Sequence, residues 1–135
     1  MDIDYALLAD HAEVVSGKLY LMGGGWDTWF AAEVPAQVRM AVAVGIRVGW
    51  DETNQPVPVV ITLEDDDGQS LVKLEGSINI GRPAHLPAGS TQLAQMAANI
   101  GMQVQRHGGY RVRIEAGEGP HVVQRYIPFR LLPRR

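Results

Sequence analysis

The sequence has no cysteine among its 135 residues. This absence excludes disulfide bonds, cysteine-ligated zinc and thiol catalysis, and it fits a reducing compartment. The longest apolar run, Met40 to Ile46, is far shorter than the roughly 20 residues that a membrane-spanning helix needs. The first residues, MDIDYALLADHAEVV, lack the basic start and the apolar run of a secretion signal. We therefore expect a soluble, cytoplasmic protein without a membrane span.

Neither sign of charge dominates the sequence. Twelve Lys and Arg residues stand against fifteen Asp and Glu residues, which gives a formal net charge of -3. Such a balance argues against nucleic acid as a partner. The chain also has no nucleophile elbow and no HExxH pair, and its Gly23-Gly24-Gly25-Trp26 cluster lacks the spacing of a phosphate-binding loop. We expect a non-enzymatic protein without a cofactor, and we interpret the glycine cluster as a bulge or a sharp corner.

The clearest pattern that is present is a two-residue alternation. Between Arg39 and Trp50, large apolar residues occupy every second position, namely Met40, Val42, Val44, Ile46, Val48 and Trp50. Such spacing is typical of a β-strand with one apolar face. Fifteen glycines and eight prolines divide the chain into short segments of this kind. The pattern predicts one all-β domain over residues 1–135, an antiparallel β-sandwich, immunoglobulin-like or C2-like, of about eight or nine strands.

Nine strands are expected, with boundaries uncertain by about two to four residues. They are Tyr5 to Val14, Lys18 to Met22, Trp26 to Glu33, Val38 to Val48, Val57 to Glu64, Leu71 to Ile80, Leu93 to Gln105, Tyr110 to Glu115, and Val122 to Leu131. For Ser90 to Gln105 a helix is the alternative, because Leu93, Met96, Ala97 and Ile100 recur at helical spacing. The longer alternation and Gly101 favour a strand.

Several connections have chemistry that predicts their shape. Ser16-Gly17 and Asp67-Gly68 suit tight hairpins, because glycine adopts a positive φ without strain. Pro56 and Pro58 predict that the fifth strand begins at a sheet edge, since proline donates no ladder hydrogen bond. The segment 81–92 is predicted to cross from one sheet to the other. A glycine turn before Tyr110 resembles the start of the penultimate strand in immunoglobulin-like sandwiches.

The aromatic residues Trp26, Trp29 and Phe30 form the candidate interaction surface. If Trp26 and Trp29 belong to one strand, their odd spacing points them to opposite faces; the alternative is that both pack under neighbouring loops. Asp10, His11, Asp51 and Asn54 are the other candidates for this interaction surface. His11 is expected to be a hydrogen-bonded structural residue rather than a catalytic base.

A second hypothesis concerns an oxygen-rich ion site. Asp51, Glu52 and Asn54 in one loop, with the acidic run Asp65 to Asp67 in another, would bind calcium if both loops met at one end of the sandwich. A calcium- or lipid-responsive C2-like module is therefore the alternative function. The simpler interpretation is a solvated hairpin tip and a polar loop before a proline.

The chain also resembles a known family over essentially its whole length. The most specific segments are Ala9-Asp10-His11-Ala12-Glu13, Gly17-Lys18-Leu19-Tyr20 with Gly23-Gly24-Gly25-Trp26 after it, Asp51-Glu52-Thr53-Asn54, and the Pro-Ala-Gly-Ser element around Ala88. They resemble a family of small bacterial proteins, common in actinobacteria, that is known only as a domain of unknown function. The resemblance implies a stand-alone domain whose characteristic loops contain Asp10, His11, Trp26, Asp51 and Asn54, and it implies no activity or ligand.

These observations predict a protein-binding or self-assembly module. The expected partner is another protein or a second copy of the chain, in a homo-oligomer. The edge strands and the surface from Trp26 to Phe30 are the candidates for that contact.

Overall fold

The computed structural model describes residues 1–134 and contains nine β-strands with two short 3-10 helices. The strands are β1 Asp2–Val15, β2 Lys18–Gly24, β3 Thr28–Phe30, β4 Ala36–Val48, β5 Val57–Asp65, β6 Ser70–Ile78, β7 Gln92–Val104, β8 Gly108–Ala116 and β9 Val123–Leu132. The 3-10 helices are Trp50–Glu52 and Gly119–His121. Within these 134 residues, no helix has the length and apolar character required to cross a membrane.

The strands form two sheets, one of order β2-β1-β4-β7 and one of order β3-β9-β8-β5-β6. All pairs are antiparallel except β3 with β9, which is parallel. The large apolar residues of β4 face the second sheet and are fully buried, as the alternation predicts. The all-β sandwich expected from the sequence is therefore confirmed. β7 is a strand throughout, so the helical alternative for Ser90 to Gln105 is wrong.

Each lateral side of the sandwich has its own pair of edge strands. β2 and β3 are edge strands, joined through Trp26, whose ring lies 6.2 Å from that of Phe129 on β9. On the other side β6 and β7 are edge strands, and a Cβ built at Gly76 of β6 would lie 4.0 Å from Met96 Cε of β7. We call these the β2/β3 side and the β6/β7 side.

The small residues of β4 are buried as well, which the alternation did not predict. β1 pairs with β4 only as far as Ala9, after which its remainder forms a hairpin with β2. A second apolar cluster of Ala9, Ala12, Ala41 and Ala43 packs outside the first sheet, with Tyr5, Leu19 and Ala97 against it. Small side chains occupy these positions because a third layer, the hairpin, lies over them.

Several turns agree with the sequence expectations. Ser16 and Gly17 both adopt positive φ, at 51° and 75°, in the β1–β2 hairpin, and Gly68 does so at 81° between β5 and β6. Residues 79–91 cross from β6 in one sheet to β7 in the other. Tyr110 lies two residues after the start of β8, where the pairing of β8 with β5 begins, and its hydroxyl donates to the carbonyl of Arg106, four residues upstream. This contact has the form of the tyrosine corner of immunoglobulin-like sandwiches.

Two expectations need correction. β5 is an interior strand between β8 and β6, not an edge strand. Its ladder with β8 begins only at Val59, so the N–H that Pro58 lacks is not needed there. The third strand is also shorter than expected, Thr28–Phe30 instead of Trp26 to Glu33. Gly25 adopts a φ of 86°, so the chain turns before Trp26.

Candidate functional site

The hairpin of β1 and β2 positions Asp10 at the edge of the β2/β3 side. Ala9 pairs with Gly24 and His11 with Met22, so Asp10 lies beside Gly23. A Cβ at Gly23 would overlap the Asp10 carboxylate, and the φ of Gly23 is 63°. Glycine is therefore needed at this position for two reasons, the backbone conformation and the close approach of the carboxylate.

The aromatic residues follow directly after this glycine cluster. The N–H of Gly25 donates to the carbonyl of Leu8 at 2.8 Å, which fastens the corner. The rings of Trp26 and Trp29 then lie 5.7 Å apart at 57°. Both tryptophans are partly buried and pack against the core. Phe30 remains 38% exposed.

These residues enclose an open hollow of about 480 Å³. Its lining comprises Asp10, Gly23, Gly24, Trp26, Thr28, Trp29 and Phe30. The volume falls within the range of small-ligand sites, and it is large enough for one long side chain of a partner. Four of the seven residues predicted for an interaction surface, Asp10, Trp26, Trp29 and Phe30, thus meet at one place.

The electrostatics of the hollow depend on Asp10. Its exposed carboxylate forms no hydrogen bond or ion pair with any other residue in the described part of the chain. The nearby acid Asp27 lies 3.6 Å from the guanidinium of Arg130, which also donates to Thr28 Oγ1 at 3.1 Å. Asp10 therefore supplies a negative charge beside indole rings, a combination that suits a cation.

His11 lies next to the hollow but does not line it. Its Nε2 is 3.9 Å from a carboxylate oxygen of Glu13. It borders a different recess of about 340 Å³, where β1 has separated from β4, together with Asp10, Arg39, Met40, Asn99, Ile100 and Gly101. Asn99 donates to the carbonyl of Ala12 at 2.9 Å and holds the hairpin across this gap. Asp10, His11 and Trp26 therefore do not converge in one hollow.

Asp51 and Asn54 lie elsewhere, in the connection between β4 and β5. Asn54 adopts a φ of 60°, and its N–H donates to the carbonyl of Ile80 at 2.6 Å. Arg82 lies over the Trp50 ring at 4.4 Å and donates to Thr53 Oγ1 at 2.7 Å. The loop thus anchors the crossing between the sheets. The sequence did not indicate Arg82 as a partner of this loop, because the two segments are far apart along the chain.

The calcium hypothesis required two acidic loops to meet, and they do not. Asp51 lies in the loop before β5 and Asp67 in the loop after it, so the whole strand of nine residues separates them. At about 3.3 Å per residue this is roughly 30 Å. Asp65 is buried, and its Oδ1 accepts the N–H groups of Asp67 and Gln69 at 2.9 Å each. No cluster of three or more metal-ligating side chains occurs in residues 1–134.

Three residues of the hollow lay outside the predicted surface, Gly23, Gly24 and Thr28. The glycine cluster was correctly interpreted as a corner, but nothing in the sequence indicated that Asp10 would lie against it. The proximity of Asp10 to Gly23 followed only from the register of the hairpin. A tight turn at Ser16-Gly17 pairs residues that lie equally far from the turn on its two strands.

The fold and the hollow define a small β-sandwich with one aromatic, acid-containing recess on a lateral side. A family model described as a family of unknown function (DUF6941) matches residues 4–130, and the chain belongs to that family. No curated protein matches the chain.

Proposed function

We propose that the chain is a non-enzymatic binding module that accepts an arginine or lysine side chain of a protein partner in the hollow of the β2/β3 side. The observation that carries this proposal is Asp10, whose carboxylate is unpaired among residues 1–134 and which lines the same hollow as Trp26, Trp29 and Phe30. A cation over an indole ring beside a carboxylate gains both a cation–π and a charge-assisted contact.

The chemistry of the surroundings supports a cation over an anion. Arg130, the basic side chain nearest to Thr28, is already engaged with Asp27 and with Thr28 Oγ1. An anionic ligand would therefore meet Asp10 without a free cation to offset the repulsion. A neutral apolar ligand would cover Asp10 and remove its hydration without replacing it.

Catalysis by Asp10, His11 and Trp26 has less support. The His11 ring is directed to Glu13 and to the recess beside Asn99, so it offers no proton to a group bound between Trp26 and Phe30. General acid–base catalysis needs the acid and the base within hydrogen-bond reach of one substrate.

The test is a titration with N-acetyl-arginine methylamide, followed by NMR of the indole N–H signals. We expect the signals of Trp26 and Trp29 to shift, whereas Trp50, which lies under Arg82, serves as an internal control. Binding in the millimolar range is expected for a single side chain. The neutral isostere N-acetyl-citrulline methylamide should bind more weakly, because it lacks the positive charge.

Asp10→Asn removes the charge and keeps the shape. Because the pair with the ligand is partly exposed, we expect affinity to fall about 2- to 5-fold. Asp51→Asn is the matched control, since Asp51 is exposed and lies outside the hollow. Equal binding of arginine and citrulline amides, or an unchanged affinity in Asp10→Asn, would contradict the proposal.

A further inference from the structure

β7 has a free edge of unusual composition. It pairs with β4 along its whole length, from Ala36 opposite Val104 to Val48 opposite Gln92, and with no other described strand. Its thirteen residues, QLAQMAANIGMQV, include no charged residue and no proline. In an antiparallel ladder about half of the residues direct their N–H and C=O groups away from the neighbouring strand. β7 therefore presents a long row of backbone donors and acceptors.

The other three edge strands have features that discourage pairing with another chain. β6 contains Lys73 and Glu75, which are exposed, and β2 begins with Lys18 and ends in two glycines. β3 has only three residues. Charges, irregularity and shortness are the usual means by which edge strands avoid association. β7 has none of these features, although it is the longest of the four.

The hairpin of β1 and β2 covers the outer face of β7 but does not pair with its edge. Gln95 Nε2 donates to the carbonyl of Gly17 at 2.8 Å, and Asn99 holds Ala12. Both contacts use side chains of β7. Neither one engages its backbone groups, and no backbone–backbone hydrogen bond joins β7 to the hairpin within the described residues.

We propose that the free edge of β7 pairs with β7 of a second copy of this chain, antiparallel around a two-fold axis at Ala98. With this centre the two copies of the strand pair over their full length, with Gln92 of one copy opposite Val104 of the other. The two four-stranded sheets would then form one continuous sheet of eight strands. Because the strand is uncharged, no like charges meet when it faces itself.

Side chains next to the edge favour the same occupant. In this register Met96 of one copy faces Ile100 of the other, and both belong to the inner, apolar face of β7. Two leucines of the β6/β7 side are also exposed, Leu74 of β6 to 36% and Leu93 of β7 to 41%. A second copy would cover these apolar side chains, whereas a charged partner would not. The hollow lies on the opposite side, so this inference is independent of the proposed function.

The experiment measures mass by sedimentation equilibrium between about 1 µM and about 1 mM, a range that brackets the dissociation constants of weak pairs. We expect the mass to rise toward twice 14.8 kDa with concentration. Leu93→Lys with Gln103→Lys would place like charges directly opposite each other across the axis. We expect this double variant to associate at least about ten-fold more weakly.

Leu93→Lys with Gln103→Glu is the matched control, because it places opposite charges across the same axis and should retain association. Circular dichroism checks that both variants fold, and hydrogen exchange of the wild-type β7 amides at low and high concentration provides a readout without substitution. A monomer at about 1 mM, equal association of both double variants, or exchange in β7 that does not depend on concentration would overturn the inference.

Discussion

The two lateral sides of the sandwich are closed in different ways. On the β2/β3 side the chain passes from one sheet to the other through Gly25 and Trp26, and aromatic rings fill the space between the edges. On the β6/β7 side two strands simply end the sheets, and apolar side chains such as Leu74 remain partly exposed. The first side has a built recess, whereas the second has an unpaired ladder.

The difference determines which chemical groups each side of the sandwich presents. A connection that crosses between sheets brings side chains of distant residues together, as Asp10 meets Trp26 and Phe30. A plain edge offers mainly backbone groups, which any extended strand can pair with, so its composition decides whether it is protected. We therefore propose different partners for the two sides, a side chain for one and a strand for the other.

Trp26→Ala is expected to reduce the stability of the fold more than any other substitution considered for the two sides. The Trp26 ring contacts Trp29 and Phe129, so its removal leaves a gap between the sheets. Because Trp26 is partly exposed, we expect the free energy of unfolding to fall by roughly 2–4 kcal/mol, somewhat less than for a fully buried tryptophan. Urea denaturation measures it.

Two variants test whether this loss is specific to the β2/β3 side. Met96→Ala truncates a partly buried residue of the β6/β7 side and should cost only about 1 kcal/mol. Trp26→Phe keeps a packed ring and removes an indole N–H that has no hydrogen-bond partner within residues 1–134, so it should cost less than Trp26→Ala. Equal losses in Trp26→Ala and Met96→Ala would contradict the comparison.

A smaller effect is expected from Tyr110→Phe at the end of the same aromatic row. The Tyr110 ring stacks on Phe129 at 5.6 Å, and its hydroxyl donates to the Arg106 carbonyl. Loss of this hydrogen bond should lower the free energy of unfolding by about 1 kcal/mol at neutral pH.

The same tyrosine predicts an alkaline loss of stability. Burial raises the pKa of Tyr110 above the ordinary value of 10.0. The folded state therefore favours the neutral phenol, so this contribution is fully present below pH 10 and is lost as the pH rises through the raised pKa. We expect a less steep alkaline decline in Tyr110→Phe, with a residual decline from Tyr5, whose pKa burial also raises. Parallel declines in both proteins would contradict this assignment.

Local patterns predicted most of the fold. The alternation in β4 and the turns at Ser16-Gly17 and Gly68 depend on neighbouring residues, and the structure confirms them. The strand expected to start at Tyr110 is present and begins two residues earlier, at Gly108. The burial of Ala41 depended on the hairpin that covers it, and the interior position of β5 depended on sheet order. Both are decided by contacts between distant segments, which periodicity does not encode.

The candidate site was predicted in the same partial way. Trp26, Trp29 and Phe30 are adjacent in sequence, so their grouping followed from composition. Asp10 lies near these aromatic residues because of the register between β1 and β2. Asp51 and Asn54 lie elsewhere in the fold, and the length of β5 separates their loop from the one that contains Asp67. A sequence contains several polar residues of similar character, and only the pairing of strands separates the acidic residue that lines the hollow from those that lie in a distant loop.

The smallest expected change in stability comes from a glycine substitution in β7, which we compare with a glycine substitution on the β2/β3 side. Gly101 of β7 is exposed, and a Cβ there would lie 3.6 Å from Gln37 Nε2, an ordinary contact. Gly101→Ala should therefore raise the free energy of unfolding by about 0.5 kcal/mol, because alanine restricts the unfolded chain more than glycine does. Gly23→Ala should lower it instead, because its φ is 63° and its Cβ would displace Asp10. Urea denaturation at about 1 µM protein, where weak pairs are dissociated, compares the two variants. A loss of stability in Gly101→Ala equal to that in Gly23→Ala would mean that the β7 edge is as constrained as the hollow.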